Sequence, residues 1–445
     1  MTPRPLMTAA LCAALLSAAA AAQPPAAARP ASTPQEEKAR ELFAAGKPDD
    51  ALRQLQEAVK ANPKLAPARV QIAALFYQAK QFQPARQNLE TALAEDPRHP
   101  EALLMNASFA LPEGRLTDVI FSCQTAIALA AEPRWDPEQR RRFVREGRIG
   151  LAAAFEGRRD FASARDQYAA LLTDDPKSGL ARSRFAVTTF NLGKPEEAYA
   201  EFQTAQRDDP AMELPELQMA GLYAGRDDAA KAEEWLKKAV AAQGGVAKTH
   251  RTYAAWLTDN GKLDEAQLSL DAAAKIDPAS KDTLSVRGML LRNRKDYAAA
   301  VPIFEGLLKD SPGNAFAALN LALTLAESVD PVKLAKATEL AENEVRKNQR
   351  NPESLAVLAW CYYKSGKLDE AEKLLNAVAQ AGPLNRDTGY YAARILADRQ
   401  RYDEAYKVLK DVTTARGPHI YRAESAALLA EVEKKLPPPK PPEKK

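Results

Sequence analysis

The chain has 445 residues, enough for about two to four globular domains, unless it is a repeat array whose core grows in one dimension. Its composition is 46% apolar but only 7% aromatic, and 62 Lys and Arg residues nearly balance 59 Asp and Glu residues, for a net charge of +3. This balance, with no long basic stripe, argues against nucleic acid as a partner.

Residues 1–22 are typical of a secretory signal peptide. Arg4 supplies a positive charge, Leu6 to Ala19 form an apolar run, and three alanines ending at Ala22 provide a cleavage site. This run is shorter than the ~20 residues that span a bilayer. We therefore expect cleavage after Ala22 and a secreted or periplasmic protein, outer-membrane associated or not, with no transmembrane segment in the mature chain. A disordered alanine-rich leader is the alternative.

Residues 23–34 form a linker rich in proline and alanine, and helical periodicity begins near Gln35. From there, prolines recur at intervals close to 34 residues, a period typical of helix–turn–helix repeats. These prolines are Pro63, Pro97, Pro133, Pro176, Pro210, Pro278, Pro312, Pro352, Pro383 and Pro418. Pro210 and Pro278 are separated by twice this period, and Gly244-Gly245 lies where the intermediate proline would be. We therefore divide the repeats into residues 35–244 and 245–418. The glycine pair is a candidate hinge, with an ordinary loop as the alternative.

Alanines repeat with the same period. In the second helix of successive units they lie 34 residues apart, at Ala164, Ala198, Ala232, Ala266 and Ala300. A parallel series in the first helix comprises Ala152, Ala186, Ala220, Ala254 and Gly288. Helices that cross at a short distance need small side chains at the crossing. The two series therefore predict stacked helix pairs.

The clearest unit resembles the tetratricopeptide repeat family. Leu358-Ala359 and Tyr362 fit its first helix, and Ala371, Leu375, Val378 and Pro383 fit its second. The resemblance extends over about eleven units between Gln35 and Pro418. It implies an all-α, right-handed superhelical solenoid whose first helices line a concave groove. The resemblance says little about function, because the matching residues are structural. We expect a non-catalytic scaffold that binds proteins.

Some stretches depart from the repeat. An insertion containing Trp135 and Arg142 predicts an extended first helix, and Asp330-Pro331 predicts the start of a lengthened second helix. Residues 419–435 predict a capping helix, and residues 436–445, rich in proline and lysine, predict a disordered tail.

The sequence contains few signs of catalysis. The three histidines lie in distant units, and no metal-binding, phosphate-binding or nucleophile motif is present. Cys123 and Cys361 fit buried thiols. We expect no cofactor, no metal and no enzymatic activity. Two alternatives remain open, which are an enzyme or enzyme subunit with a site in the groove and a self-associating structural element.

Candidate binding residues follow from the family's groove positions. The resemblance places six residues there, of types that are frequent at binding hot spots. They are Arg251, Arg292, Trp360, Tyr363, Tyr390 and Arg394. The alternative is that these aromatic residues pack between neighbouring units. The expected partner is an extended peptide or a partner subunit, in cell-envelope assembly or secretion.

Overall fold

The computed structural model describes residues 33–382, 384–414 and 419–436. Within these ranges the chain forms 23 α-helices and no β-strand. The predicted signal peptide, the predicted linker up to residue 32 and the predicted tail from residue 437 lie outside the described residues. The predicted all-α fold of stacked helix pairs is confirmed.

The helices alternate as first and second members of eleven pairs along the described chain, and one further helix follows them. The first ten are α1 (Pro34–Ala44), α2 (Pro48–Ala61), α3 (Ala68–Gln78), α4 (Phe82–Glu95), α5 (Pro100–Ala110), α6 (Leu116–Leu129), α7 (Pro137–Gly157), α8 (Phe161–Asp174), α9 (Gly179–Asn191) and α10 (Pro195–Asp208). The others are α11 (Pro215–Ala224), α12 (Ala229–Ala242), α13 (Ala247–Asp259), α14 (Leu263–Ile276), α15 (Lys281–Asn293), α16 (Tyr297–Asp310), α17 (Ala315–Ala326), α18 (Pro331–Lys347), α19 (Pro352–Lys364), α20 (Leu368–Ala381), α21 (Arg386–Asp398), α22 (Tyr402–Thr414) and α23 (Arg422–Glu433).

Helices pack along the chain in a regular pattern. The two members of a pair pack on each other, as α13 does on α14 and α19 does on α20. First helices also pack on the first helices of neighbouring pairs, as α17 does on α19 and α19 does on α21. The first helices therefore form a continuous layer from α3 to α7 and another from α13 to α21.

The chain divides into two compact units, one ending at Gln218 and the other beginning at Met219. This boundary lies inside α11 and precedes Gly244-Gly245, where the sequence suggests a hinge. Gly244 and Gly245 form the turn between α12 and α13, and the Gly244 carbonyl lies 3.0 Å from Nε2 of His250. A hinge at this turn stays a prediction.

The small residues occupy helix crossings, as their spacing predicts. All five alanines of the second-helix series, from Ala164 to Ala300, are completely buried. In the pair α5–α6, the second helix has valine in place of the repeated alanine. This residue, Val119, lies 34 residues after Ala85 and is completely buried. At Gly288, an added Cβ would lie 2.6 Å from the ring of Phe304, so the crossing there has no room for a side chain.

The two departures from the repeat have local causes. The inserted residues lengthen α7 to 21 residues, and Asp136 caps it by accepting hydrogen bonds from the backbone of Glu138 and Gln139. Trp135, just before this cap, packs edge-on against Phe143. Helix α18 begins at Pro331 with Asp330 as its N-cap, as the sequence predicts.

Candidate functional site

The candidate site lies on the first helices of the last three pairs, α17, α19 and α21, in the unit that begins at Met219. We call it the C-terminal groove and define it by five residues, which are Glu327, Trp360, Asp387, Tyr390 and Tyr391. Residues 419–424, which are the three residues before α23 and the first three residues of α23, lie over it. We call these six residues the covering segment.

Aromatic rings form the middle of the groove. The Trp360 ring stacks on Tyr391 with 4.3 Å between ring centroids and on Tyr363 with 5.0 Å. The Tyr390 ring stacks on Tyr421 of the covering segment at 4.8 Å, with the ring planes 11° apart. Trp360, Tyr390, Tyr391 and Tyr421 are all at least nine-tenths buried. Together these rings supply large flat contact surfaces.

A carboxylate at the C-terminal end of α17 connects these rings. Oε1 of Glu327 accepts a hydrogen bond from Nε1 of Trp360 at 2.9 Å and one from the hydroxyl of Tyr421 at 2.7 Å. Its other oxygen, Oε2, pairs with Nζ of Lys364 at 3.2 Å. Hydrogen bonds to an ionised acceptor are stronger than neutral ones. Glu327 therefore ties the covering segment to two neighbouring helix pairs.

A second carboxylate lies at the start of α21. Oδ1 of Asp387 accepts a hydrogen bond from the backbone N–H of Ile420 at 3.0 Å. Burial raises the pKa of Asp387 to about 6, while Arg292 and the backbone N–H groups of Ile420 and Tyr421 oppose that rise. Burial also raises the pKa of Asp259, to about 7, and the carboxylate of Asp387 adds to the effect. Asp387 is thus harder to ionise than a carboxyl group in water.

Tyr421 contacts side chains from three neighbouring first helices. It meets Glu327 at the end of α17, Trp360 on α19 and Tyr390 on α21. Tyr421 therefore lies over the middle of the groove.

Family comparisons agree with this architecture. Tetratricopeptide repeat models match residues 42–104, 149–213 and 257–315, and a model of anaphase-promoting complex, cyclosome, subunit 3 matches residues 330–412. The matched ranges fall on the helix pairs described above. The chain belongs to the tetratricopeptide repeat family. Members of this family generally mediate protein–protein interactions.

Individual relatives of this tetratricopeptide repeat protein are distant. A TPR repeat-containing protein of Pseudomonas aeruginosa is 29% identical over 163 residues, and the match covers 36% of this chain and 27% of that protein. Yeast Tom70 is 13% identical with a TM-score of 0.38, covering 90% of this chain and 95% of that one. Pseudomonas aeruginosa PilF is 20% identical with a TM-score of 0.35, covering 50% and 96%. The chain spans about a quarter of the length of the TPR repeat-containing protein of Pseudomonas aeruginosa.

The six predicted groove residues of this tetratricopeptide repeat protein fall into two groups, one buried and one half-buried. Trp360 and Tyr390 lie in the groove but are covered, and Arg292 is buried beside it, donating a hydrogen bond of 2.6 Å to Oδ1 of Asn320. These three present little free surface as the structure stands. Their contact with a partner stays a prediction.

The other three predicted residues are half-buried. The hydroxyl of Tyr363 donates to Asp398 at 2.7 Å and accepts from Nε of Arg394 at 3.1 Å, which places both at the rim of the groove. Arg251 lies on α13 and forms an ion pair of 3.2 Å with Asp282. Tyr363 and Arg394 are therefore the predicted residues best placed to meet a partner.

Sequence reasoning missed four residues of this site. Glu327, Asp387 and Tyr391 are not at the family's groove positions, and Tyr421 follows the last matched repeat. The tandem Tyr390-Tyr391 was a usable signal, because two adjacent tyrosines on a first helix point to different neighbours. No sequence signal indicated that Tyr421 returns to the groove.

The described residues contain no cluster of three or more potential metal ligands. Burial raises the pKa of Cys361 to about 12, so its thiol stays protonated at neutral pH. None of the described helices combines the length and apolar character that crossing a membrane requires.

Proposed function

We propose that this protein is a non-catalytic scaffold that binds an extended segment of a partner protein in the C-terminal groove. The observation that carries the proposal is the convergence of Trp360, Tyr363, Tyr390 and Arg394 with the acceptor Glu327 on one surface. Trp, Tyr and Arg are the residue types that dominate binding energy at interfaces. The family's general role in protein–protein interaction supports the same conclusion.

We further propose that the protein acts in the bacterial cell envelope, in assembly or secretion. This part rests on the sequence of residues 1–22, which has the charge, apolar run and small residues of a secretory signal. We expect purified mature protein to begin at Gln23 and to fractionate with the envelope. A chain that keeps Met1 and stays in the cytosol would contradict export.

Binding is tested by crosslinking the mature protein in its native envelope and identifying the proteins that copurify. The test variant carries Tyr363→Ala and Arg394→Ala, because these rim side chains can be removed without hollowing the core. The matched control carries Tyr406→Ala and Lys410→Ala, an aromatic residue and a cation that contact each other on α22, with 5.7 Å between Lys410 Nζ and the ring centroid. Circular dichroism confirms that both variants remain folded.

A partner captured by the wild type and the control but lost by the rim variant would support the groove as the binding site. The same partner on all three proteins would place the site elsewhere and overturn this proposal. Capture of no partner, together with a mass in solution that rises with concentration, would favour self-association.

A further inference from the structure

The covering segment crosses the first-helix surface instead of only closing the end of the stack. Its Glu424 pairs with Lys295 in the turn before α16, and Tyr421 contacts Glu327 and Trp360 in the next two pairs. Ile420 reaches Asp387 in the last pair. Six residues thus contact four consecutive helix pairs. A simple capping helix would contact only the last pair, on which most of α23 packs through α21 and α22.

Tyr421 is the anchor of the covering segment. Only 4% of it is exposed, its ring stacks on Tyr390, and its edge meets Trp360 and Tyr391 at centroid distances of 5.8 and 5.5 Å. Its hydroxyl is a hydrogen-bond donor to Glu327. A buried aromatic ring with a matched polar tip is the usual form of a binding hot spot.

The surface below the covering segment shares buried rings with the core of the stack, namely those of Trp360, Tyr390 and Tyr391, but it also carries charged groups. Helix crossings in the core bury alanines against apolar rings, as Ala300 does. The groove also presents the carboxylates of Glu327 and Asp387 and the ammonium group of Lys364. Charged groups are solvated when uncovered and therefore do not require a permanent apolar cover. The charged groups of the groove can therefore be solvated by water when the covering segment is absent.

We propose that the covering segment is an intramolecular ligand of the C-terminal groove, and that a partner peptide binds by displacing it and inserting a tyrosine in place of Tyr421. The inference rests on the proposed function and adds the partner's chemistry and a means of regulation. The incoming tyrosine stacks on Tyr390 and donates its hydroxyl hydrogen to Glu327. A backbone N–H one residue before it donates to Asp387.

The test uses a fluorescent synthetic peptide with the sequence of residues 419–433, HIYRAESAALLAEVE, as the probe. Its binding to the full mature chain is measured by fluorescence anisotropy for the wild type, Tyr421→Ala and Tyr406→Ala. The probe binds only molecules whose groove is not occupied by the covering segment. The apparent affinity of the protein for the probe therefore falls in proportion to the fraction of such molecules. We expect Tyr421→Ala to bind the probe at least ten-fold more tightly than the wild type, and Tyr406→Ala to match the wild type.

Two further measurements keep the result unambiguous. A probe in which alanine replaces the tyrosine should not bind Tyr421→Ala detectably. If Tyr421→Ala fails to fold, Tyr421→Phe keeps the ring and loses only the hydrogen bond to Glu327, and we expect it to bind the probe more tightly than the wild type.

Equal probe affinity for the wild type and the folded Tyr421 variants, or no binding to any of them, would overturn this inference. It would show that the covering segment is a fixed part of the fold. The inference and the proposed function fail separately. An envelope partner lost by the Tyr363→Ala, Arg394→Ala variant, without probe binding, would leave the proposed function standing alone. Probe binding without capture of an envelope partner would leave the inference standing and the proposed function unsupported.

Discussion

Replacing Gly288 with alanine tests the packing register of the repeats. Gly288 lies inside α15, where a Cβ would approach two ring atoms of Phe304 to 2.6 and 2.7 Å. Phe304 is completely buried, so its ring has little freedom to move away. Overpacking a core in this way costs about 1–3 kcal/mol. Alanine gains about 1 kcal/mol of helix propensity over glycine, so the expected net change is a loss of up to about 2 kcal/mol.

Gly306 on the partner helix α16 provides the matched control. An added Cβ there meets nothing within 4 Å, so Gly306→Ala should gain the full helix propensity, about 1 kcal/mol. The two substitutions are chemically identical and should differ by about 1–3 kcal/mol, which is the overpacking cost. Repeat arrays need not unfold as one unit. Hydrogen exchange of the α15–α16 amides is therefore measured beside urea unfolding. Equal stability of the two variants would refute the assigned helix crossing.

Two further substitutions test the N-cap of α7 and a buried carboxyl group. Asp136→Ala should lower stability by about 1 kcal/mol, while Asp136→Asn, which still caps the helix, should lower it less. Equal urea midpoints for the wild type and Asp136→Ala would contradict the cap. The pKa of Asp259 is about 7, against ~3.9 in an unfolded chain, so folding stability falls as the pH rises between these values. Asp259→Asn should therefore lose less stability than the wild type between pH 5 and pH 8, and an unchanged loss would contradict the raised pKa.

The fold was predictable because its determinants recur along the chain at a fixed distance. Ala266 and Ala300 occupy equivalent crossings in successive pairs, and the same steric requirement selects a small residue at each. The same reasoning located the N-cap at Asp330, since Asp followed by Pro favours a helix start. Val119 shows how far the pattern tolerates change, because a larger residue there is still completely buried.

The site was predictable only in part, because it depends on contacts between distant residues. Family positions placed Trp360, Tyr363 and Tyr390 on one surface, and the structure brings their rings together. Tyr421 adds to the burial of Trp360 by returning to it from beyond the last repeat. That contact depends on the path of the chain after α22. Periodicity carries no information on this path, and it ends with the repeats.

Intramolecular occupation also sets the affinity that a partner experiences. A segment on a short linker has an effective concentration in the millimolar range. If the covering segment binds as well as the free probe, the apparent dissociation constant of the wild type approaches that concentration, about 1 mM, however tight the intrinsic binding is. Weakening the segment through Tyr421→Ala should move the apparent constant toward the intrinsic one. A physiological partner must therefore either bind far more tightly than the covering segment or first engage another surface of the repeats.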